Sequence, residues 1–248
     1  MIPKDRVLEK LDSLFQSNDT AGAKRLLLYW LSEAEGSGDK SGKLLMLNEL
    51  MGLCRKLGEK EEAVGFAEEA LFLVSLMGIE ENIGAATTYL NSATVYKAFG
   101  DPENALHLYE TARVIYERDL PEGDERLGGL YNNMGLALVD LGRFSEADEL
   151  YNKAVSIMEG LCEKEPEAAI TYLNMADAVK TEFSLPKAKD RIDMLLEKAK
   201  SLMDKGMNRT DGNYAFVCEK CASVFGYYGY EEYAKELIAR SRRIYEGS

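Results

Sequence analysis

The chain has 248 residues, 46% of them hydrophobic, and its 43 acidic against 30 basic side chains leave a formal net charge of −13 at neutral pH. A surface this acidic repels phosphate along the whole approach, which argues against a non-specific nucleic-acid binder. One His and four Cys leave little for a His-based metal site or a conventional catalytic triad.

Residues 3–17 and 20–34 are expected to form a divergent helical pair, carrying Leu8, Leu11 and Leu14 on one member and Leu27, Leu28 and Leu31 on the other. The run Leu26–Leu31 is the longest wholly apolar stretch, six residues against the twenty or so of a membrane span. The opening MIPKDRVLEKLDSLF lacks the apolar core and cleavage site of a secretory leader. The expectation is therefore a soluble, cytoplasmic chain with reduced thiols and no membrane partner. Gly36-Ser37-Gly38-Asp39 reads as a linker that separates a capping hairpin, 1–38, from the remainder of the chain.

From residue 44 a 42-residue period takes over. Gly58, Gly100 and Gly142 repeat at that interval, and so do Ala63, Ala105 and Ala147, then Ala70, Ala112 and Ala154. Each repeat reads as two amphipathic helices joined by a tight turn. In the third, Leu130, Met134, Ala137, Leu138 and Leu141 share one helical face. Gly142 supplies the left-handed residue of a helix end. Ser145 is placed as the cap of the next helix, which carries Ala147, Leu150, Tyr151, Ala154 and Ile157. A single pair cannot bury such faces on both sides, so the repeats must stack.

The fourth repeat matches in Tyr172, Asn174, Met175 and Ala176, then Leu196 and Ala199, with four residues inserted around Ser184-Leu185-Pro186. Pro186 is expected to open its second helix. The last carries Cys218, Cys221, Ala222 and Phe225, then Gly229, Ala234 and Ile238.

These registers resemble the tetratricopeptide repeat family. The first-helix pattern stands as Tyr131-x-x-Met134-Gly135-x-x-Leu138 and Tyr89-x-x-Ser92-Ala93-x-x-Tyr96, and the second-helix pattern as Ala105 with Tyr109 and Ala147 with Tyr151. The repeats are eight residues longer than the usual 34, and the stretches LYNNMG and EADELYNKAVSIME are similar to those of kinesin light chains, LGN-type adaptors and bacterial peptide sensors. The resemblance implies an all-α, right-handed superhelical solenoid of about six antiparallel hairpins. It has one capping hairpin and five repeat-like hairpins over 44–246, and its first helices line a concave groove.

Cys218-x-x-Cys221 is the spacing of a zinc or redox pair, but no second pair accompanies it and both residues fall on core positions, so packing is the reading adopted. His107 lies within a second helix with no nucleophile or acid beside it. The carboxylate-rich stretches 59–69 and 119–125 lack a calcium-loop register and read as solvated faces. No Walker loop, dinucleotide fingerprint or nucleophile elbow occurs. No enzyme, metal or cofactor is therefore expected.

The candidate binding residues are a column of asparagines, Asn91, Asn133 and Asn174, in one first-helix register, with Asn48 and Asn132 beside it. An amide offers both donor and acceptor to a peptide backbone, or equally to a neighbouring helix. Arg55, Lys97, Lys180, Asp140 and Asp177 share the face, which is near neutral on an acidic protein and suited to a few point contacts. The expected function is a non-enzymatic scaffold that takes a peptide or protein segment in its groove. The alternative is an assembly module that dimerises through an end helix or the tyrosines Tyr227, Tyr228, Tyr230 and Tyr233.

Overall fold

The structure, a computed structural model, describes residues 1–17, 19–183 and 185–246, with the side chains of residues 185 and 186 outside that description. The expected insertion at Ser184-Leu185-Pro186 falls there, outside the described residues. Twelve helices and no strand are found among them. They are α1 (Lys4–Gln16), α2 (Thr20–Gly36), α3 (Lys40–Leu57), α4 (Lys60–Met77), α5 (Ile83–Ala98), α6 (Pro102–Asp119), α7 (Glu125–Asp140), α8 (Phe144–Glu159), α9 (Glu165–Glu182), α10 (Leu185–Lys205), α11 (Gly212–Tyr227) and α12 (Glu231–Glu246). The all-α expectation of six hairpins is met in number and order. No described helix is long and apolar enough to cross a membrane. The chain divides into two compact units, Met1–Asp119 and Leu120–Ser248.

In the first unit α1–α2, α3–α4 and α5–α6 pair as hairpins. The helix α3 also lies on α2, and α5 lies on both α3 and α4. The register alanines explain the close approach: Ala63, Ala67, Ala70, Ala105 and Ala112 are wholly buried, and Leu47, Leu50 and Met51 share one core with the first three. Gly58 and Gly100 adopt φ of 76° and 86°, a left-handed conformation that costs a side-chain-bearing residue about 1 kcal/mol or more.

Gly36 closes α2, and Ser37 and Gly38 lead into a buried cap. Asp39 accepts the Gly42 N–H on one oxygen and the Ile2 N–H on the other, both at 2.9 Å, so it starts α3 and fastens the amino terminus at once. Those two N–H groups, Gly42 first, hold its carboxyl below the usual carboxylate value. Because the folded value is the depressed one, the stabilisation is present above the ordinary pKa of about 3.9 and is lost as pH falls through the folded value. Asp39→Ala should cost about 0.5–2 kcal/mol at neutral pH. The gap in melting temperature between the two proteins should close in acid, and a gap independent of pH would refute the assignment.

In the second unit α7–α8, α9–α10 and α11–α12 pair, α9 lies on α7 and α8, and α11 lies on α9. Gly142 has the expected positive φ of 72°. Ser145 is not the cap of α8: the helix begins at Phe144, and Arg143 stands at the cap without a side-chain hydrogen bond. Arg143 instead forks onto Glu146 at 2.7 and 2.6 Å, an ion pair in the first turn that puts negative charge near the helix N-terminus. At the carboxyl-terminal end of this unit, the buried Arg240 donates to the Met203 carbonyl, the Tyr214 hydroxyl, Asp204 and Glu236, tying α12 to α10 and α11.

Candidate functional site

All ten sequence-derived candidates lie on first helices. Asn48 and Arg55 are on α3 and Asn91 and Lys97 on α5, in the first unit. Asn132, Asn133 and Asp140 are on α7 and Asn174, Asp177 and Lys180 on α9, in the second.

In the first unit, Asn91 Nδ2 donates to Asn48 Oδ1 at 2.8 Å, and Asn48 Nδ2 in turn donates to the Leu44 carbonyl at 2.9 Å and Thr88 Oγ1 at 3.1 Å. Both asparagines are half-buried, so the pair bridges α3 and α5 while keeping an edge at the surface. The side-chain oxygen of Asn91, Oδ1, accepts no hydrogen bond from the described residues. Further along α3, the Arg55 side chain is half-buried and makes no hydrogen bond or ion pair among the described residues. Burial pushes its guanidinium below the ordinary value, against the opposing influence of Tyr109. Burial likewise raises the carboxyl of Glu49 on the same helix, with Asp12 adding to the effect and Lys56 opposing it. Thr94 and the buried Tyr109 share a hydrogen bond of 3.0 Å beneath this face.

The second unit repeats the amide bridge. Asn174 Nδ2 donates to Asn132 Oδ1 at 2.9 Å, joining α9 to α7, and Asn132 Nδ2 lies 3.5 Å from Asn133 Oδ1. The partner of Asn174 is thus Asn132 rather than Asn133, its counterpart in the repeat column.

Beyond this bridge α9 and α11 enclose a hollow of about 300 Å³ lined by Asp177, Lys180, Thr181, Ser223, Val224 and Tyr227. Lys180 Nζ stands 3.9 Å above the ring of Tyr227, which is 62% exposed, and the Tyr228 hydroxyl donates to Asp177 at 2.7 Å. A cation, a carboxylate, an aromatic face and two hydroxyls therefore meet in one open hollow. Thr181, Ser223 and Val224 carry no signal in the repeat pattern, and α11 sets Tyr227 apart from the other clustered tyrosines, beside Lys180.

The tyrosine cluster is mostly spent within the chain. Tyr233 is buried and donates to Asp204 at 2.8 Å, Tyr230 donates to Glu197 at 3.1 Å, and Tyr228 is held by Asp177. Cys218 and Cys221 are wholly buried, and burial raises both thiols, as core packing requires. His107 is exposed. Cys54, Glu59 and Glu62 converge, but Lys24 lies 2.8 and 2.6 Å from the two carboxylates and already supplies the positive charge there. Burial, and then the Glu59 carboxylate, push the Cys54 thiol up to about 12, far from the thiolate that a metal prefers.

The tetratricopeptide repeat family profile matches residues 84–160. Kinesin light chain-related protein 2 of Arabidopsis thaliana is 26% identical over 177 residues, 69% of this chain but only 26% of that protein, so the chain spans about a quarter of its length. Among solved structures, BtubC (BKLC) of P. vanneervenii superposes with a TM-score of 0.60 at 19% identity, covering 94% of this chain and 91% of that one. NprR in complex with its cognate peptide NprX gives 0.61 at 17% identity, covering 95% and 65%. A Rap protein complexed with competence and sporulation factor gives 0.59 at 16%, covering 96% and 73%. Residues 84–160 thus match a tetratricopeptide repeat, and the chain shares the helical-hairpin fold of these solved structures.

Proposed function

We propose that this chain is a non-enzymatic interaction scaffold that receives an extended or helical peptide segment along its first helices. The observation that carries the reading is the hollow between α9 and α11, where Lys180, Asp177 and Tyr227 present opposite charges and an exposed ring beside a half-buried asparagine bridge. The half-buried, unpaired Arg55 adds a point in the first unit where a ligand carboxylate would replace lost water contacts. The similarity in fold to NprR and a Rap protein, both solved with a bound factor, supports the same reading. Amide bridges between helices do not compete with it, because Asn91 and Asn174 each commit a nitrogen to the bridge and keep a carbonyl oxygen for a ligand N–H. Asn133, Lys97 and Asp140 are included as ligand contacts on the strength of their first-helix register. The self-association alternative has less to stand on, since three of the four tyrosine hydroxyls it invokes are bound inside the chain.

The test begins with peptides selected from a random library against the intact chain. Asn91→Ala, Asn133→Ala and Asn174→Ala are then compared by peptide titration and by thermal melting. Loss of a ligand hydrogen bond should weaken binding by about 1–3 kcal/mol, roughly five- to a hundred-fold. Lower melting temperatures with unchanged affinity would assign the asparagines to the scaffold alone. Lys97 and Lys180 should act through attraction that fades at high salt.

A further inference from the structure

The hairpins α7–α8 and α11–α12 correspond residue for residue: Gly135 with Ala222, Ala147 with Ala234, Tyr151 with Ile238 and Asn132 with Glu219. In α7–α8 these positions are covered by α9, and Ala147 and Tyr151 are only 0% and 1% exposed. In α11–α12 nothing among the described residues takes that place. Ala234 and Ile238 are half-buried and line an open groove of about 710 Å³ with Ala222, Glu219, Arg242 and Arg243 on its walls. The Ala147 and Tyr151 positions of that interface thus recur on α12 as Ala234 and Ile238, covered by no described residue.

The outward residues of α1 are Arg6, Glu9, Lys10, Asp12 and Ser13, all exposed and polar, so α1 of a second copy has no apolar stripe to offer this groove. Arg242 stands where α8 has the buried Val155, and both Arg242 and Arg243 are exposed with no ion pair among the described residues. Arg242, Arg243 and Lys235 outnumber Glu219 and Glu246 on its walls, which favours an acidic ligand on a protein that is acidic overall.

We infer that the α11–α12 groove is a docking site for an amphipathic, acidic helix of another protein, seated as α9 is seated on α7 and α8. Its apolar stripe covers Ala222, Ala234 and Ile238, its carboxylates meet Arg242 and Arg243, and a side-chain amide or cation donates to Glu219. That last contact takes the place of the Asn174 to Asn132 hydrogen bond at 2.9 Å. Glu219 holds the Ser241 hydroxyl with one oxygen at 2.9 Å, and its other oxygen is available. This groove adjoins the first-helix hollow of the proposed function, with Ser223 lining both, and differs from it in taking its apolar floor from α12.

A helix with this chemistry exists in the chain itself. The sequence of α9, EPEAAITYLNMADAVKTE, is acidic and carries Asn174 in the donor register. A labelled peptide of residues 165–182 serves as the probe, titrated into the full chain and followed by fluorescence anisotropy. Saturable binding is expected, weakened at least tenfold by Ile238→Glu and by Arg242→Glu with Arg243→Glu, and reduced by salt. The arginine variants lie at the surface and keep the test valid if Ile238→Glu lowers the melting temperature. Absence of saturable binding overturns the inference, as does binding that none of these variants weakens. Loss of binding in Lys180→Glu alone would place the peptide in the first-helix hollow and also overturn it. Sedimentation that shows a dimer dissolved by Ile238→Glu would make the occupant a second copy and reject the partner helix.

Discussion

Tyr151→Ala is expected to lower stability by about 3–5 kcal/mol, the usual cost of removing a buried aromatic ring and leaving its cavity. Tyr151 is 1% exposed and its ring lies against Gly135, so α7 and α8 would lose the side chain that fills the space between them. Tyr151→Phe should move the other way, by about 1 kcal/mol. Its hydroxyl is buried with no hydrogen-bond partner among the described residues, and a buried unmade hydrogen bond costs more than a methine in the same place. The repeat supplies the control. Tyr109 holds the corresponding place in the first unit, but its hydroxyl bonds Thr94, whereas the second unit has Leu136 in that register. Tyr109→Phe should therefore cost about 0.5–1.5 kcal/mol. Chemical denaturation of the three variants decides the matter, and equal effects of the two Phe substitutions would contradict the structure.

Gly135→Leu should destabilise by about 1–3 kcal/mol or more, since overpacking strains a closed core. Even a Cβ at this position would stand 2.5 Å from the Tyr151 ring, so Gly135→Ala should also be harmful despite the better helix propensity of alanine. Gly65, exposed within α4 and with nothing near its would-be Cβ, gives the opposite expectation. There alanine should stabilise by about 0.5–1 kcal/mol. Melting temperatures that shift in the same direction for Gly65→Ala and Gly135→Ala would mean that α7 and α8 do not approach as described.

Much of this architecture is legible in the residues because the repeat imposes it many times over. Ala63, Ala105 and Ala147 can recur only where helices approach closely, and Gly58, Gly100 and Gly142 only where the chain turns left-handed. The start of α8 is less legible. Ser145 has the composition of a cap, but the Arg143–Glu146 pair begins the helix earlier. The asparagines show a deeper limit. A column of identical registers marks equivalent places, whereas contacts between neighbouring helices run across registers, so Asn174 meets Asn132 and not Asn133. The hollow beside Lys180 is hidden for a related reason, because Tyr227 and Ser223 reach it from α11, across an irregular repeat that breaks the 42-residue spacing.

The most direct measurement is amide hydrogen exchange of the chain with and without a library-selected peptide, supported by the Lys180→Glu variant. Binding along the first helices should slow exchange in α9 and α11 around Asp177–Thr181 and Ser223–Tyr227, and Lys180→Glu should remove both the slowing and the affinity. Protection confined to α10 and α12, or undiminished in Lys180→Glu, would contradict a first-helix binding face.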